Sequence, residues 1–591
     1  MASLVLTSTS FCPSFRTPGD AKPTKGIRKS NIACKITSDQ TDQQSSSTSS
    51  PRKYDRRDVL LGLGGLYGMA GLSTVNGPLA SAAPIQAPDL SKCHLPDDVP
   101  PTVHVECCPP VAPKIIDYTP PAHIPSKLRV RLPAHTLDKE YIDKYNIAME
   151  RMRALPDDDP RSFTQQAMVH CAYCNGAYDQ IGFPDINIQV HNCWLFLPFH
   201  RWQLYFYERI LGSLINDPTF ALPFWNWDHP EGMRMPDIFA DPTSSLYDEN
   251  RNPNHQPPVV VDLDYTKGAD DPTIDDKQQI IHNLSIMYRQ VVTPKTAELF
   301  FGLPYRAGDQ PNPGMGALER MPHNNLHIWG GNPNNPNNED LGHFYSSGRD
   351  PLFYSLHANV DRIWNIWKTL PGDKRTDFSD SDWLETSFVF YDEKKQLVRV
   401  KVKDAVDTRL LGYTYEKRPL PWLNCKPESR KAKVTTTASN ILVPSARAVE
   451  KKVTTPLTAF PLMLDNPIST VVPRPKKRRS KKEKDDAEEV LIIKGVEFEE
   501  TLSVSFAVYV NDEDQTETIR PDNSEFAGSF TSVPSGKKDS HEKTKTDVLF
   551  AITELLEDLD AEDDDTVVVT LVPRNEVGKV KIDGIKIELR S

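Results

Sequence analysis

The sequence predicts a mainly α-helical core with long loops, followed by a C-terminal β-sandwich. Apolar residues recur at helical spacing between Leu137 and Met152, and strict apolar alternation runs from Leu502 to Val510. The chain also contains 51 prolines against 28 glycines, which favours rigid loops between the helices. At 591 residues it is long enough for two or three domains.

Three helices are predicted before the middle of the chain. The first starts near Leu137, and Pro156 ends it. A second spans Phe163 to Ala172, and a third runs from about His200 to Leu214. Residues 241–275 are polar and contain prolines, so we expect a surface loop there.

The C-terminal part changes its periodicity. Residues 426–488 lose any regular pattern and include the basic run Lys476–Lys482, which predicts a solvated linker with a protease-accessible site. Beyond it, the alternation from Leu502 and the β-branched run Thr566–Val572 predict a compact β-sandwich over residues 489–591.

The N-terminal part has the composition of targeting segments. Residues 1–50 are rich in Ser and Thr and carry six Lys or Arg against three Asp, which is typical of a transit peptide. In residues 51–82 the pair Arg56-Arg57 precedes an apolar run and small residues, which predicts a twin-arginine signal. We therefore predict a chloroplast protein of the thylakoid lumen, with a catalytic domain over residues 83–425.

Composition also excludes some classes of partner. The net charge of −12 argues against nucleic acid, because nucleic-acid binding needs a basic surface. No stretch of 18 or more uninterrupted apolar residues occurs, which argues against an integral membrane segment in the mature chain.

Six histidines fall into two clusters that have the spacing of metal ligands. His323 and His327 are four residues apart and share a helix face, and His357 lies one turn before Asp361, which predicts a carboxylate near that ligand. A lone pair of helix histidines is more often an exposed pair, but a third histidine per cluster favours a metal site. The clusters are His170, His191 and His200, and His323, His327 and His357.

The residue types leave the metal open. His191 and His200 flank the apolar run Trp194–Phe199, which places them at the wall of a dry cavity. Ligation by imidazoles without thiolates suits copper and zinc alike. We predict that each cluster supplies three imidazoles to one ion.

Cysteines near the start of the mature chain predict disulfides. Cys93, Cys107 and Cys108 lie in a proline-rich segment without helical pattern. Because adjacent cysteines cannot easily pair with each other, Cys107 and Cys108 need separate partners, although sequence alone does not choose the pairing.

The histidine clusters resemble the two copper-binding regions of plant polyphenol oxidases, which include catechol oxidases and tyrosinases. The resemblance is carried by the segments HCAYC, HNCWLFLPFHR, HNNLHIW and DPLFYSLHANVDRIW, and it extends over essentially the whole chain. One difference is Leu356, because relatives commonly have a second histidine before the one at 357.

The resemblance implies a four-helix bundle around a type-3 centre of two copper ions. Copper A is then held by His170, His191 and His200, and copper B by His323, His327 and His357. It further implies the disulfides Cys93–Cys108 and Cys107–Cys171, and a thioether between Cys174 and His191.

Other site residues are also implied by the resemblance. Glu319 and Asn324 match a pair that in some members holds a water able to deprotonate a monophenol, and Phe344 matches a bulky gate over the second copper. The tyrosines Tyr413 and Tyr415 are expected to pack on Arg129 or Arg131. The C-terminal domain is expected to cover the copper site and keep the precursor latent.

The implied activity is oxidation of o-diphenols to o-quinones with reduction of O2 to water, with monophenol hydroxylation as a further activity and a protease as activator. One alternative is a haemocyanin-like oxygen carrier without turnover, and another is a structural or hydrolytic zinc protein. The transit peptide, Cys174 and the removable C-terminal domain favour the enzyme.

Overall fold

The computed structural model describes residues 83–97, 99, 105–268, 270, 272–428, 454–512, 520–535 and 543–591. The predicted targeting segments 1–50 and 51–82 lie outside these residues, as does part of the predicted linker, 429–453. No helix within the described ranges has both the length and the apolarity that crossing a bilayer requires.

The described residues contain twelve α-helices, most of them before residue 390. They are α1 Lys139–Arg153, α2 Phe163–Cys174, α3 Phe196–Leu214, α4 Asp237–Ala240, α5 Asp276–Met287, α6 Ala297–Phe301, α7 Asn324–Gly330, α8 Phe344–Ser347, α9 Leu352–Trp367, α10 Ser381–Glu385, α11 Lys481–Asp486 and α12 Thr553–Asp558. Two π-helical turns adjoin these helices. One, Tyr288–Val292, directly follows α5, and the other, Glu319–His323, directly precedes α7.

The helix boundaries follow from capping side chains. Asp138 accepts a hydrogen bond from the Tyr141 N–H at the start of α1, and Ser162 accepts one from the Gln165 N–H at the start of α2. Helices α3 and α9 are buried on nearly all sides, as their apolar sequences require. Together with α2 and α7 they form the centre of the helical core, in agreement with the predicted bundle.

Sixteen short strands complete the described part of the chain. The seven in the catalytic region are β1 Ile115–Asp117, β2 Arg129–Arg131, β3 Asp179–Gln180, β4 Phe183–Asn187, β5 Ser387–Tyr391, β6 Leu397–Lys401 and β7 Tyr413–Tyr415. Strand β2 pairs in parallel with β7, so that the segment before the helices is tied to the segment after them.

The C-terminal region is a β-sandwich, as predicted. Its strands are β8 Leu462–Met463, β9 Ile468–Pro473, β10 Glu488–Glu499, β11 Ser505–Val510, β12 Phe526–Thr531, β13 Lys543–Ala551, β14 Thr566–Asn575, β15 Lys581–Ile582 and β16 Gly584–Arg590. One sheet has the order β13-β10-β15-β8 with β16 also on β10, and the other has the order β12-β11-β14-β9. The alternating residues Val504, Phe506, Val508 and Val510 are buried in the core between them.

The predicted boundary between linker and sandwich at residue 489 is wrong. Strand β9 is an edge strand of the second sheet and pairs antiparallel with β14 from Thr566↔Pro473 to Leu571↔Ile468. The basic run belongs to this domain as well: Lys477 pairs with Asp565, Arg478 pairs with Asp563, and α11 begins inside the run. The composition of this part of the chain gave no indication of β9, because composition carries no information about the pairing of distant strands.

The prediction of a surface loop at 241–275 is also wrong for much of that segment. Val261, Leu263 and Tyr265 are buried at 0%, 0% and 3% exposure. Asp264 reaches the C-terminal domain, where its carboxylate pairs with Arg574 and accepts a hydrogen bond from the Ser529 hydroxyl. A polar sequence was compatible with burial here because a second domain covers it.

A buried charge network joins the central helices. Arg201 on α3 binds Asp361 on α9 at 2.5 Å, and Arg131 on β2 binds Glu208 on α3 at 2.7 Å. Arg131 also lies 3.9 Å from the Tyr413 ring centre, so it is the arginine that packs on the tyrosine pair. Asp361 is occupied by this network and makes no hydrogen bond with His357, which corrects the prediction of a carboxylate supporting that ligand.

We expect Asp361→Asn to destabilise the fold by about 3 kcal/mol, because it leaves Arg201 buried without its counter-charge. Burial acts to raise the pKa of Asp361, but Arg201 and Arg131 outweigh it and lower the pKa. A lowered folded pKa means stability that is present above about pH 4, the unfolded value, and lost as the pH falls through the folded value.

Urea unfolding at pH 7 and at pH values below 4 measures both effects. Asp361→Asn should lower the unfolding free energy at pH 7 and flatten its decline in acid. Asp276→Asn is the matched control, because Asp276 forms an exposed pair with Arg234 and should change the stability by less than about 0.5 kcal/mol. Equal effects of the two substitutions contradict the prediction.

Candidate metal centre

The six histidines from two distant parts of the sequence converge in one buried pocket. His170 is on α2, His200 on α3 and His327 on α7, while His357 is on α9. His323 ends the π-helical turn before α7, and His191 precedes α3. Within each predicted triad, one nitrogen from each ring lies within 4.8 Å of the others.

In five of the six imidazoles a hydrogen bond at Nδ1 leaves Nε2 free for a metal, whereas Nδ1 of His357 has no partner within the described residues. The Nδ1–H groups of His170, His200 and His327 donate to the carbonyl oxygens of Phe344, Phe196 and Leu341 at 2.8, 2.8 and 2.7 Å. His323 Nδ1 similarly donates to Asn324 Oδ1 at 2.9 Å, and His191 Nδ1 to Gln189 Oε1 at 3.3 Å. Such bonds fix the tautomer and direct the Nε2 lone pair at the ion.

A metal ion would bind at the Nε2 atoms, whose lone pairs need a partner. In the first triad all three are buried without a hydrogen-bond partner. In the second, the three Nε2 atoms lie 3.0 to 3.3 Å from one another. Three neutral rings whose lone pairs point at one another are unfavourable unless a cation lies between them, so the residues fit one metal ion per triad.

Burial also keeps these imidazoles neutral, which is the form that binds a metal. It lowers the pKa of His170 to about 3 and that of His327 to about 4, with smaller contributions from neighbouring groups. The pKa values of His191, His200, His323 and His357 are lowered well below the usual range for the same reason.

The two triads face each other. The rings of His200 and His357 stack with centres 4.2 Å apart, and those of His191 and His323 stack at 6.2 Å. Two ions held by these triads would therefore lie in one shared pocket.

Two phenylalanines that were not predicted as site residues pack between the triads. The Phe196 ring lies 4.6 Å from His323 and 4.8 Å from His200, and the Phe353 ring lies 4.2 Å from His357 and 5.0 Å from His170. Each precedes a histidine of its own helix by four residues, so helical spacing was the signal that could have identified them. They keep the rings dry and limit their rotation.

Phe344 lies against the first triad, which corrects its predicted position over the second copper. Its ring stacks on His191 with centres 4.2 Å apart and contacts His170 at 5.9 Å. The predicted position came from the resemblance, whereas in this chain α8, which carries Phe344, packs on α2.

Glu319 and Asn324 are both buried beside the second triad. Glu319 Oε1 accepts a hydrogen bond from the Asn192 N–H at 2.6 Å, while Oε2 has no partner. Burial raises the pKa of Glu319 well above its usual range. Asn324 donates to the carbonyl oxygen of Thr531 in the C-terminal domain at 2.8 Å, so its amide is occupied in this state.

Disulfides tie the N-terminal segment to the metal-binding helices. The structure pairs Cys93 with Cys108 and Cys107 with Cys171, the pairing that the resemblance implies. The second bond reaches α2 at the residue after His170. Cys174 is a buried thiol at the end of the same helix.

Comparison with known proteins gives three family matches along the chain. Residues 160–370 match the common central domain of tyrosinase, 377–428 the polyphenol oxidase middle domain, and 460–589 the chloroplastic polyphenol oxidase C-terminal domain. The chain is also 56% identical over 577 residues to the chloroplastic polyphenol oxidase of Malus domestica, covering 96% of this chain and 94% of that one.

The chain belongs to the plant polyphenol oxidase family. It is 49% identical to the chloroplastic (+)-larreatricin hydroxylase of Larrea tridentata over 100% of this chain and 99% of that one. Among solved structures it resembles latent apple tyrosinase, with a TM-score of 0.75, 56% identity and coverage of 81% of this chain and 100% of the other.

Membership confirms the predicted class. This polyphenol oxidase is a chloroplast copper protein with two copper ions, a helical catalytic core and a latent form, and its class does not favour the oxygen-carrier alternative. The match to the C-terminal domain begins at residue 460. Like the pairing of β9 with β14, it places the start of that domain well before residue 489.

The C-terminal domain covers the pocket with one segment, residues 531–535. Thr531 Oγ1 accepts a hydrogen bond from the Asn325 amide at 3.1 Å, and the Pro534 carbonyl oxygen accepts one from the Phe344 N–H at 3.3 Å. Val533 is 5% exposed and packs into the catalytic core. The segment therefore closes the side of the pocket on which Phe344 and Asn324 lie.

Proposed function

We propose that this polyphenol oxidase oxidises o-diphenols to o-quinones at two copper ions held by the two triads. The observation that carries the proposal is that six buried, neutral imidazoles face each other in one pocket with their free nitrogens directed inward. The ligands are His170, His191 and His200 for one copper and His323, His327 and His357 for the other.

When bound, the copper pair supplies O2 binding and accepts the two electrons of the catechol. The protein contributes fixed ligand orientation, through the carbonyl oxygens that hold Nδ1, and exclusion of water, through Phe196 and Phe353. Phe344 restricts access from the side of the first copper, where it stacks on His191.

A catechol assay of the activated protein tests this function. Proteolysed protein with two copper ions per chain should convert 4-methylcatechol to its quinone at many turnovers, and the uncut chain should do so slowly. An oxygen carrier gives almost no quinone, and a zinc protein has zinc in place of copper, so either result contradicts the proposal.

We further propose that Glu319 receives the proton of a monophenol through a water shared with Asn324. The free Oε2 of Glu319 and its burial beside His323 support this role. Burial favours the protonated acid, whereas copper ions held by the adjacent triads would favour the carboxylate, which is the form that can accept a proton.

On the activated enzyme, Glu319→Gln should lower tyramine hydroxylation by about 100-fold, the usual contribution of a general base. Oxidation of 4-methylcatechol should change by only a few-fold, because a catechol needs no new oxygen inserted. Glu385→Gln is the control, since Glu385 pairs with lysines at the surface. Parallel losses of both activities would instead indicate a structural role.

We also propose a thioether between Cys174 and His191. Forming the S–C bond removes the Sγ–H hydrogen of Cys174 and one ring C–H hydrogen of His191 with two electrons, and O2, the oxidant of the proposed reaction, accepts them. The thioether would keep His191 directed at its copper. Peptide mapping of the copper-loaded enzyme should find the two residues in one crosslinked peptide, lighter by two hydrogens than the sum of its parts. Cys174→Ser should give two separate peptides and a lower copper affinity. Separate peptides in the wild-type enzyme contradict the crosslink.

Targeting and activation complete the proposal. The twin-arginine pattern at Arg56-Arg57 supports delivery to the thylakoid lumen, and fractionation of chloroplasts tests it. An activating protease cuts between residue 426, where the predicted linker starts, and residue 468, where β9 begins, since β9 belongs to the C-terminal domain. Mass spectrometry of the cleaved product locates the cut, and a product ending inside the sandwich contradicts it.

A further inference from the structure

A small cavity lies between the catalytic core and the C-terminal domain, and none of the six histidines lines it. On the catalytic side it is lined by Arg289, Thr293 and Arg320, and on the other side by Ala527, Leu549 and Phe550. The two arginines are only 6% and 3% exposed. Both domains are therefore needed to enclose it.

Three buried hydrogen-bond donors around this cavity have no acceptor. They are Nε of Arg289, Nε of Arg320 and the Thr293 hydroxyl. The remaining guanidinium groups are satisfied by neutral oxygens: Arg320 donates to Ser529 O and Gln290 Oε1 at 3.3 and 3.0 Å, and Arg289 donates to Ser524 O at 3.0 Å. All three residues line this one cavity.

The cavity also carries positive charge without a counter-ion. Among the ion pairs of the described residues, none includes Arg289 or Arg320. The carboxylates Asp558, Glu554 and Glu525 act on Arg289 from a distance, and the first two bind Lys426, at 2.7 and 2.9 Å. Burial lowers the pKa of Arg320 to about 9, and no carboxylate opposes it. A buried, unpaired charge of this kind is costly unless an ion compensates it.

The size of the cavity limits the ligand to a single small group. Its free volume is about 10 Å³, close to what one water-sized group needs, which is too small for sulfate or phosphate. A water molecule can accept from the two Nε–H groups and donate to the Thr293 hydroxyl, but it carries no charge, whereas a monatomic anion accepts hydrogen bonds from all three groups and also compensates the positive charge.

We propose that a single chloride ion binds between Arg289, Thr293 and Arg320 and holds the two domains together. Because Ala527, Leu549 and Phe550 close the cavity, the ion binds tightly only when the C-terminal domain is docked. Binding and docking then stabilise each other. The effect on docking rests on the proposed latent form, while chloride binding itself does not depend on catalysis.

Bromide replaces chloride in the first test. A crystal of the uncut protein grown in bromide should give an anomalous peak within hydrogen-bonding distance of the Arg289 and Arg320 Nε atoms. A water without anomalous signal, or an empty cavity, overturns the proposal whatever the enzyme oxidises.

The second test uses thermal unfolding of the uncut, copper-loaded protein in chloride or gluconate at equal ionic strength. Chloride should raise the midpoint by about 2 °C or more through binding to the folded state. Arg320→Met should abolish the difference, and Thr293→Val, which removes one donor without changing the size of the side chain, should reduce it.

The control is Arg478→Gln, an exposed arginine of the same C-terminal domain that pairs with Asp563, and it should keep the full chloride effect. If Arg320→Met does not fold, Thr293→Val and the bromide peak decide. The same chloride effect in wild type and Thr293→Val, with no bromide peak, overturns the site.

Discussion

Replacing His327 with leucine should lower catechol oxidation by more than about 100-fold and reduce the copper content from two ions to one per chain. Loss of a group that only supports a metal ligand already costs about 10- to 100-fold in affinity or activity, so loss of the ligand itself costs more. Leucine has a similar size and cannot coordinate a metal. With one copper missing, two electrons cannot be accepted together.

His343→Leu is the matched control for this experiment. His343 is as buried as His327, at 2% against 0% exposure, and burial lowers its pKa to about 3 as well, but it belongs to neither triad. It should keep two copper ions and most of the activity. Metal analysis and quinone formation on the activated enzymes measure both variants, and equal losses in the two contradict the ligand assignment.

The ligand sets were accessible from sequence because local spacing determines which side chains share a helix face. His323 and His327 are one turn apart, and a π-helical turn followed by α7 places both nitrogens toward His357. What spacing does not contain is the direction of the neighbouring helix. Asp361 is one turn after His357, yet it bonds to Arg201 on α3, because the position of α3 is a property of the packed core.

The errors about domain structure have one physical origin. Residues 241–275 and 468–473 were assigned by composition, and each is placed by a partner far along the chain: Asp264 by Arg574, and β9 by β14. Arg129 and Arg131 could not be separated for a related reason. They are two residues apart on the short strand β2. Only the position of Tyr413 in the folded chain shows that Arg131 is the arginine that packs on it.

The pair between Asp264 and Arg574 gives the second large prediction, which concerns latency. Arg574 Nη1 lies 2.5 Å from Asp264 Oδ2, and Asp264 is 7% exposed. We expect Arg574→Met to weaken docking of the C-terminal domain by about 3 kcal/mol, because it leaves the Asp264 carboxylate buried with only Ser529 as a partner. That amounts to a roughly 100-fold larger population of open, active chains.

Residual catechol oxidation of the uncut enzyme and the SDS concentration for half-activation measure this shift. Arg590→Met is the comparison, because Arg590 pairs with Glu298 across the same interface. The two side chains are 23% and 32% exposed. Ion pairs that are exposed to solvent contribute about 1 kcal/mol or less. Asp264→Asn breaks the same pair from the catalytic side, so the double variant Asp264→Asn with Arg574→Met should open the chain less than the sum of the two single effects. Additive effects would mean that Arg574→Met does not act through its pair with Asp264 and would contradict the prediction. The proteolysed core lacks Arg574, so it has the wild-type activity in every case and provides the fully active reference.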